Sequence, residues 1–490
     1  MKSIKKKIIN GLAGALLLST AGCDLQEANV NPNAVTEVGV NVLLPATQAN
    51  MTWAVGDFTS QATGILLQYM TGTLNVQQNV TFYAYVPPNF NTPWNHFYTG
   101  SLIDLKNIID ISTENQAFHY RGVAKIQSAL LLGYLVDLWG DVPYSQALNI
   151  DEFPQPVYDS GEQVYEEVFR LLDEGIADLQ SESTISPAAN DLVYPAANEG
   201  AWRSTSLPRW IKAANSLKAR YYNHLSKVDP QGSATNALAA INAGAFESNA
   251  DDLNTVFGNS ADAAGPWFGF LLGSFGQNNI AVAQRFIDML ENRIEPGEND
   301  PRLPYFIGPN SAGGFVGAEY GAASIPSNVS RVGPYLNRED APTSIMTYSE
   351  LKFIEAEAHQ RLGQYALAAE AFNQAVEASL LRVTGTASPA YIAAFGSETA
   401  ATMEANGMER IFNEKHIDMF LKTESWADWR RSIPAGAEGT ASGIPFLEPA
   451  DDNFTNDVFP RRFLYPTSEL DNNSGNIPTG SPTVKVFWDL

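Results

Sequence analysis

Near the end of a 490-residue chain, Ile411-Phe412-Asn413-Glu414-Lys415-His416-Ile417 is followed by Trp426-Ala427-Asp428-Trp429-Arg430-Arg431-Ser432 and then by Pro460-Arg461-Arg462-Phe463-Leu464-Tyr465-Pro466-Thr467-Ser468-Glu469. Trp426 and Trp429 are three residues apart, so on a helix their rings share a face. Asp428, Arg430 and Arg431 can satisfy one another and nearby carbonyls from the same turn. This combination predicts a structural helix locked by large rings and ion pairs.

Working outward, Val123, Ile126, Leu130, Leu131, Tyr134, Leu135 and Leu138 recur at intervals of three and four, which places them on one helix face. Gly140-Asp141-Val142-Pro143-Tyr144 then supplies glycine and proline stop chemistry. Periodicity and Pro, Gly and Asn breaks predict helices over about 43 to 70, 96 to 111, 118 to 138, 161 to 180 and 207 to 228. Tyr348 to Leu381 reads as a helical hairpin broken at Gly363-Gln364, with Ala356, Ala358, Ala368, Ala369, Ala371 and Ala375 permitting close helix contact. Its length of about 34 residues is that of a tetratricopeptide unit. The intervening segment, about 243 to 342, is rich in Gly, Asn, Pro and aromatics and predicts loops and short strands around one helix, about 279 to 291. Within it, Asp300-Pro301-Arg302 reads as a turn with an ion pair.

The first residues are of another kind. Lys2, Lys5, Lys6 and Lys7 precede an apolar run from Ile8 to Leu18 that is too short to span a bilayer, and small residues lead to Cys23, the one cysteine of the chain. This is the pattern of a lipoprotein signal peptide, with 1–22 removed, Cys23 lipidated, 23–42 a flexible spacer and 43–490 a single domain. Several acyl chains at about 0.8 kcal/mol per buried CH₂ would make the membrane anchor durable. The net charge of −24 and the lack of a basic stripe argue against nucleic acid as a partner.

The C-terminal motifs resemble those of the SusD/RagB family of nutrient-binding outer-membrane lipoproteins of Bacteroidota. Matching text runs through the chain in order: Asn31-Pro32-Asn33, Trp94 to Tyr98, Asp137 to Ala147, Asn299 to Leu303 and Tyr348 to Ala358. His416 stands where many relatives have Trp, and Ser432 where many have Thr. The resemblance implies a mostly α, SusD-like fold with TPR-like hairpins as scaffold and an irregular, loop-rich half that carries ligand. It implies a cell-surface protein, anchored in the outer membrane by lipid, that captures oligo- or polysaccharide and delivers it to a SusC-like TonB-dependent barrel.

Sugars lay apolar C–H faces on aromatic rings while their hydroxyls need donors and acceptors at the edge. Two segments offer both. One is Thr81 to Asn91, where Tyr83 and Tyr85 would point the same way if the backbone were extended. The other is Gly265 to Phe270, with Trp267, Phe268 and Phe270, followed by Gln277, Asn278 and Asn279. Catalytic signatures are lacking: there is no G-x-S-x-G, P-loop, H-E-x-x-H or Cys/His zinc spacing. Glu355 and His359, at i and i+4, read as a surface hydrogen-bonding pair. The expectation is therefore a binding protein, not an enzyme, with no cofactor or metal, although the Asn/Asp loops are compatible with structural calcium. The alternatives are a lipid-anchored glycoside hydrolase and a peptide carrier.

Overall fold

The computed structural model describes residues 38–490 except 256, 259, 261, 262, 323, 324, 326 and 437–442. The expected leader and Cys23, the expected lipidation site, lie outside the described residues. All the elements belong to the unit Val40–Leu490.

Helices dominate, and their faces follow the sequence pattern. Gly161–Leu179 starts on a capping box in which Ser160 and Gln163 bond each other's backbone, and it buries Val164, Tyr165, Val168, Leu171, Leu172 and Leu179. That stripe packs on Phe118–Trp139, which is buried almost all round. The next helix, expected to start near 207, instead runs Glu199–His224 from an Asn198 cap and passes through Pro208. A proline inside a helix costs about 3 kcal/mol. Trp202 and Trp210 flank it, both fully buried, and both indole N–H groups donate to Asp191 Oδ2 at 2.8 and 2.7 Å. Burying about 200 Å² per ring at about 25 cal/mol/Å² outweighs the lost bond.

The helical hairpin forms as Tyr348–Arg361 and Tyr365–Thr384, with Gly363 at φ +70° in the turn. Its six predicted alanines are buried, and Phe353 meets Phe372 across it with ring centroids 5.9 Å apart. Ala400–Asp418 adds a third helix to this stack.

Three expectations are corrected where backbone pairing or packing overrides periodicity. The helix expected over 43 to 70 is two helices, Val40–Gly56 and Phe58–Leu66, broken at Asp57 and followed by the strand Met70–Gly72. The helix expected over 96 to 111 is Asn91–Phe97 and Ile103–Glu114 joined by a π turn. The helix expected over 279 to 291 shrinks to Gln284–Asp288, because Ile280–Val282 pairs antiparallel with Met70–Gly72. Two more short antiparallel pairs, Leu253–Thr255 with Thr343–Met346 and Ile307–Gly308 with Arg331–Val332, stitch the loop-rich segment to the helices.

Candidate functional site

The C-terminal motif is closed on itself. Glu357 is fully buried and accepts from Lys415 at 3.0 Å, from Arg431 at 2.9 Å and from Arg361 at 3.1 Å; Lys415 also reaches Asp428 at 2.8 Å. These cations hold the Glu357 carboxyl well below the usual carboxylate range despite its burial. Arg430 lies over Trp426 and Trp488 at 4.2 and 4.7 Å and donates to the carbonyls of Arg461 and Asp137. Asp300 and Arg302 form the expected ion pair at 2.8 Å, completely buried and shared with Glu414 and Tyr391. All of this is scaffold.

A second buried cluster joins Asp137, His224 and Glu424. His224 Nε2 lies 2.6 Å from Glu424 Oε1 and Nδ1 lies 3.3 Å from Asp137 Oδ2, while Trp488 Nε1 donates to Asp137 Oδ1 at 2.8 Å. Arg220 lies 3.8 Å from Glu424 and the Arg430 charge acts on Asp137, while His224 sits between the two acids. Burial disfavours a proton on His224, but the two carboxylates outweigh it and raise the imidazole to about 9. The imidazolium bridges the two acids inside the core. Glu355 and His359 bond other partners, Lys352 and Gln364.

The predicted ligand-facing tyrosines are corrected. The segment from Asn75 to Thr81 is helical, and Tyr83 adopts φ +57°, so Tyr83 and Tyr85 do not alternate along an extended strand. Tyr83 packs against Phe459 and Tyr85 against Phe90, and Tyr85 donates to the Arg462 carbonyl at 3.3 Å. Trp267 is buried too, its indole donating to Ser60 Oγ at 2.9 Å. The cavity beside it, bounded by Ser60, Phe268, Thr343 and Lys422, measures about 30 Å³, enough for water and not for a sugar ring. Burial withdraws these three rings from the surface: Tyr83 and Tyr85 pack among Phe90, Phe459 and Arg462, and Trp267 ties the loop-rich segment to Phe58–Leu66.

Phe268 and Phe270 are half-buried on the short helix Pro266–Leu271, whose Gly269 faces a ring that sequence reading missed. Trp53, on Val40–Gly56, is half-buried and stacks with His96 at 6.4 Å and 26°. Gly269, exposed between the two phenylalanines, approaches so closely that a Cβ there would lie 3.7 Å from Trp53 Cη2. Phe270 meets Trp267 edge to face at 6.0 Å. One helical turn after Trp53, Asp57 sits at the break between the two N-terminal helices, where burial raises its carboxyl to about 6.

From Asp57 runs a chain of amides. Gln61 Nε2 donates to Asp57 Oδ1 at 3.1 Å, Gln77 Nε2 to Gln61 Oε1 at 2.9 Å, Asn279 Nδ2 to Gln77 Oε1 at 3.1 Å, and Asn75 Nδ2 to Asn279 Oδ1 at 3.0 Å. Every bond points the same way, from the exposed Asn75 toward the carboxylate, so the dipoles reinforce one another. Two glycines permit close backbone approaches near the chain, and Gly72 does so at its member Gln77. A Cβ on Gly72 would lie 1.9 Å from the Gln77 carbonyl oxygen, and one on Gly276 would lie 1.9 Å from that of Phe270. Half-exposed rings beside a polarised amide chain and a carboxylate suit a neutral, hydroxyl-rich ligand with an apolar face. The available sequence signal was Trp53 and Asp57 at i and i+4 within the stretch read as one helix over about 43 to 70.

A family model described as starch-binding and associating with the outer membrane, SusD-like, matches residues 32–466. Solved structures share the fold. A chitin-binding SusD homologue from Flavobacterium johnsoniae superposes with a TM-score of 0.72 at 19% identity, over 92% of this chain and 98% of that one. A SusD/RagB family protein from Bacteroides thetaiotaomicron gives 0.71 at 21%, over 92% and 99%. A protein described as chitin-binding gives 0.72 at 24%, over 92% and 100%. No curated protein matches the chain.

Proposed function

Since the chain belongs to the SusD-like family of starch-binding proteins that associate with the outer membrane, we propose that it captures an oligo- or polysaccharide and hands it uncut to a SusC-like TonB-dependent barrel. The observation that carries this reading is the half-exposed Trp53, stacked on His96 and in van der Waals reach of Gly269, one helical turn from Asp57, where the amide chain begins. The chitin-binding structural relatives support a glycan as the ligand class. In this reading Cys23 carries the lipid, 23–42 is the tether, and 43–490 acts as one ligand-binding domain at the cell surface. No cofactor takes part, and calcium bound by an Asn/Asp loop would have a structural role only. Phe268 and Phe270 stay in the ligand role expected of them, with Trp53 and His96 replacing Tyr83, Tyr85 and Trp267. Handover favours weak binding: micromolar to millimolar affinity, about −8 to −4 kcal/mol, lets a ligand leave quickly.

Calorimetric titration of the full chain in detergent micelles tests this, using α- and β-glucan, mannan and chitin oligosaccharides and mixed peptides, with product analysis of each sample. Saturable binding of an uncut glycan that Trp53→Ala abolishes supports the proposal. Release of shorter sugars would replace it with the hydrolase, and binding confined to peptides would replace it with a peptide carrier.

A further inference from the structure

A cavity of about 520 Å³ lies where Asn91–Phe97, the start of Ile103–Glu114, the loop 143–156 and the turn Thr467–Asn472 meet, within the usual size range of ligand sites. It shares no lining residue with Trp53, Gly269 or the amide chain. Three motifs that the proposed function leaves unused supply it: Trp94 to Tyr98, Pro143 to Ala147 and Ser468 to Glu469.

Most of the lining is apolar and held in place. Trp94 and Tyr98 have ring centroids 4.7 Å apart, and Trp94 is braced edge to face by Trp139 at 5.3 Å and Tyr465 at 6.2 Å. The Tyr98 hydroxyl donates to the Pro143 carbonyl at 2.8 Å. Pro143, Pro154 and Pro156 fix their own backbone, so little ordering remains to be done when a ligand enters. Ile150 also lines the cavity and is 77% exposed, an apolar lip on the surface.

One lining residue is charged, Glu469. Its Oε2 accepts from the Tyr158 hydroxyl at 2.8 Å and from Asn473 at 3.2 Å. Oε1 receives no donor from any described residue, yet it is not sealed from solvent. Neighbouring cations leave it alone: Lys106, one turn after Ile103, pairs with Asp110 at 2.6 Å, and Arg462 is buried over the Tyr465 ring at 4.7 Å and forms no ion pair with Glu469. Asp151 and Glu152, beside Ile150 in the chain, are exposed and carry the same sign. The net charge of −24 draws cations toward this face as well.

The uncharged polar lining is largely spent. Thr99 donates to the Asn95 carbonyl at 3.0 Å and Asn472 to the Ser468 carbonyl at 2.8 Å. A sugar ring here would leave most of its hydroxyls against prolines and rings, and an anion would face Glu469. An aliphatic or aromatic side chain next to an arginine or lysine meets both demands, the first against the rings and prolines, the second on the open carboxylate oxygen.

We propose that this cavity docks a short apolar segment of a partner protein that carries a basic residue, with the cation on Glu469 Oε1 and the apolar side chains between Tyr98 and Ile150. The proposal does not depend on the glycan reading.

The test uses the full chain in phosphatidylcholine nanodiscs, which keeps detergent out of the cavity, and titrates acetylated, amidated tripeptides calorimetrically. Leu-Phe-Arg is expected to bind about fivefold more tightly than Leu-Phe-Gln, and more tightly still than Leu-Phe-Glu or Gly-Gly-Arg, with the preference for arginine shrinking as salt is added. Glu469→Gln should abolish that preference while leaving Leu-Phe-Gln binding unchanged, and Trp53→Ala should leave both intact. If Glu469→Gln fails to fold, Ile150→Ala at the exposed lip should still cost Leu-Phe-Arg several-fold in affinity. Equal affinity for the arginine and glutamine peptides, or no binding of either, would overturn the proposal. So would a preference for arginine that both variants leave untouched, which would put the peptide elsewhere on the acidic surface, and a Gly-Gly-Arg affinity equal to that of Leu-Phe-Arg, which would make the apolar lining irrelevant. Displacement of the peptide by a chitin trimer would hand the cavity to a saccharide instead.

Discussion

The Glu357 cluster and the Trp53 wall are built from the same kinds of residue, tryptophan beside acid and nitrogen donors, and they come to opposite ends. Around Glu357 each charge meets a counter-charge inside the protein: Lys415, Arg431 and Arg361 converge on one carboxylate, and Asp428 takes the remainder. Around Trp53 the rings are half-exposed, the amide chain ends at the surface on Asn75, and Asp57 is shifted toward neutrality by burial with a single side-chain donor, Gln61, on its Oδ1. A polar cluster whose bonds close internally stabilises a fold, while one left open at the surface has capacity for a ligand. Residue type does not distinguish the two; the pairing of each charge with a counter-charge does.

The largest effect should come from opening the closed cluster. Glu357→Ala leaves Lys415 and Arg431 sharing Asp428 alone and Arg361 without its carboxylate, and is expected to cost about 3 to 5 kcal/mol, read as a lower midpoint in chemical denaturation. A loss of the same size in small-residue variants of the Trp53 wall would erase the contrast between the regions.

His224 sharpens the contrast through pH. Its folded pKa of about 9 is raised above the ordinary 6.5, so its contribution is fully present below pH 6.5, declines as pH rises and is gone above about 9. A shift of that size corresponds to about 3 kcal/mol. Denaturation midpoints measured from pH 6 to 10 should fall for the unaltered chain more steeply than for His224→Gln; parallel curves would show that the buried imidazolium carries no such load.

On the open side, Trp53→Ala should weaken glycan binding by about ten- to thirtyfold, roughly 1.4 to 2 kcal/mol, with little change in denaturation midpoint. A loss of stability comparable to that of Glu357→Ala would instead place Trp53 with the scaffold. The smallest effect concerns Asp57. A ligand hydroxyl donates best to the ionised carboxylate, so affinity should fall a few-fold as pH drops through about 6 and stay flat in Asp57→Asn. A pH-independent affinity for the unaltered chain would remove Asp57 from the site.

Much of the scaffold could be read in advance because its signals are local. The heptad-like run in Phe118–Trp139, the Ser160 capping box and the alanine-lined hairpin each need only neighbours within a few residues to be recognised. The candidate site resisted reading for the converse reason. Trp53, His96 and Gly269 are far apart in the chain, and the amide chain alternates between two distant stretches, Gln61 and Gln77 in one and Asn279 in the other. Tyr83, Tyr85 and Trp267 misled because an aromatic near Gly and Pro looks the same in sequence whether it plugs a seam or lines a groove.

The amino-acid sequence by itself determined the helical class, the hairpin near residues 348 to 381, the ion-pair chemistry of Trp426 to Arg431 and the family to which the chain belongs, because periodicity, capping and motif order are properties of neighbouring residues. Only the tertiary structure decided which rings reach solvent and which carboxylates flank one imidazolium. Burial and charge balance depend on what the folded chain places within a few ångströms, and no local pattern encodes that.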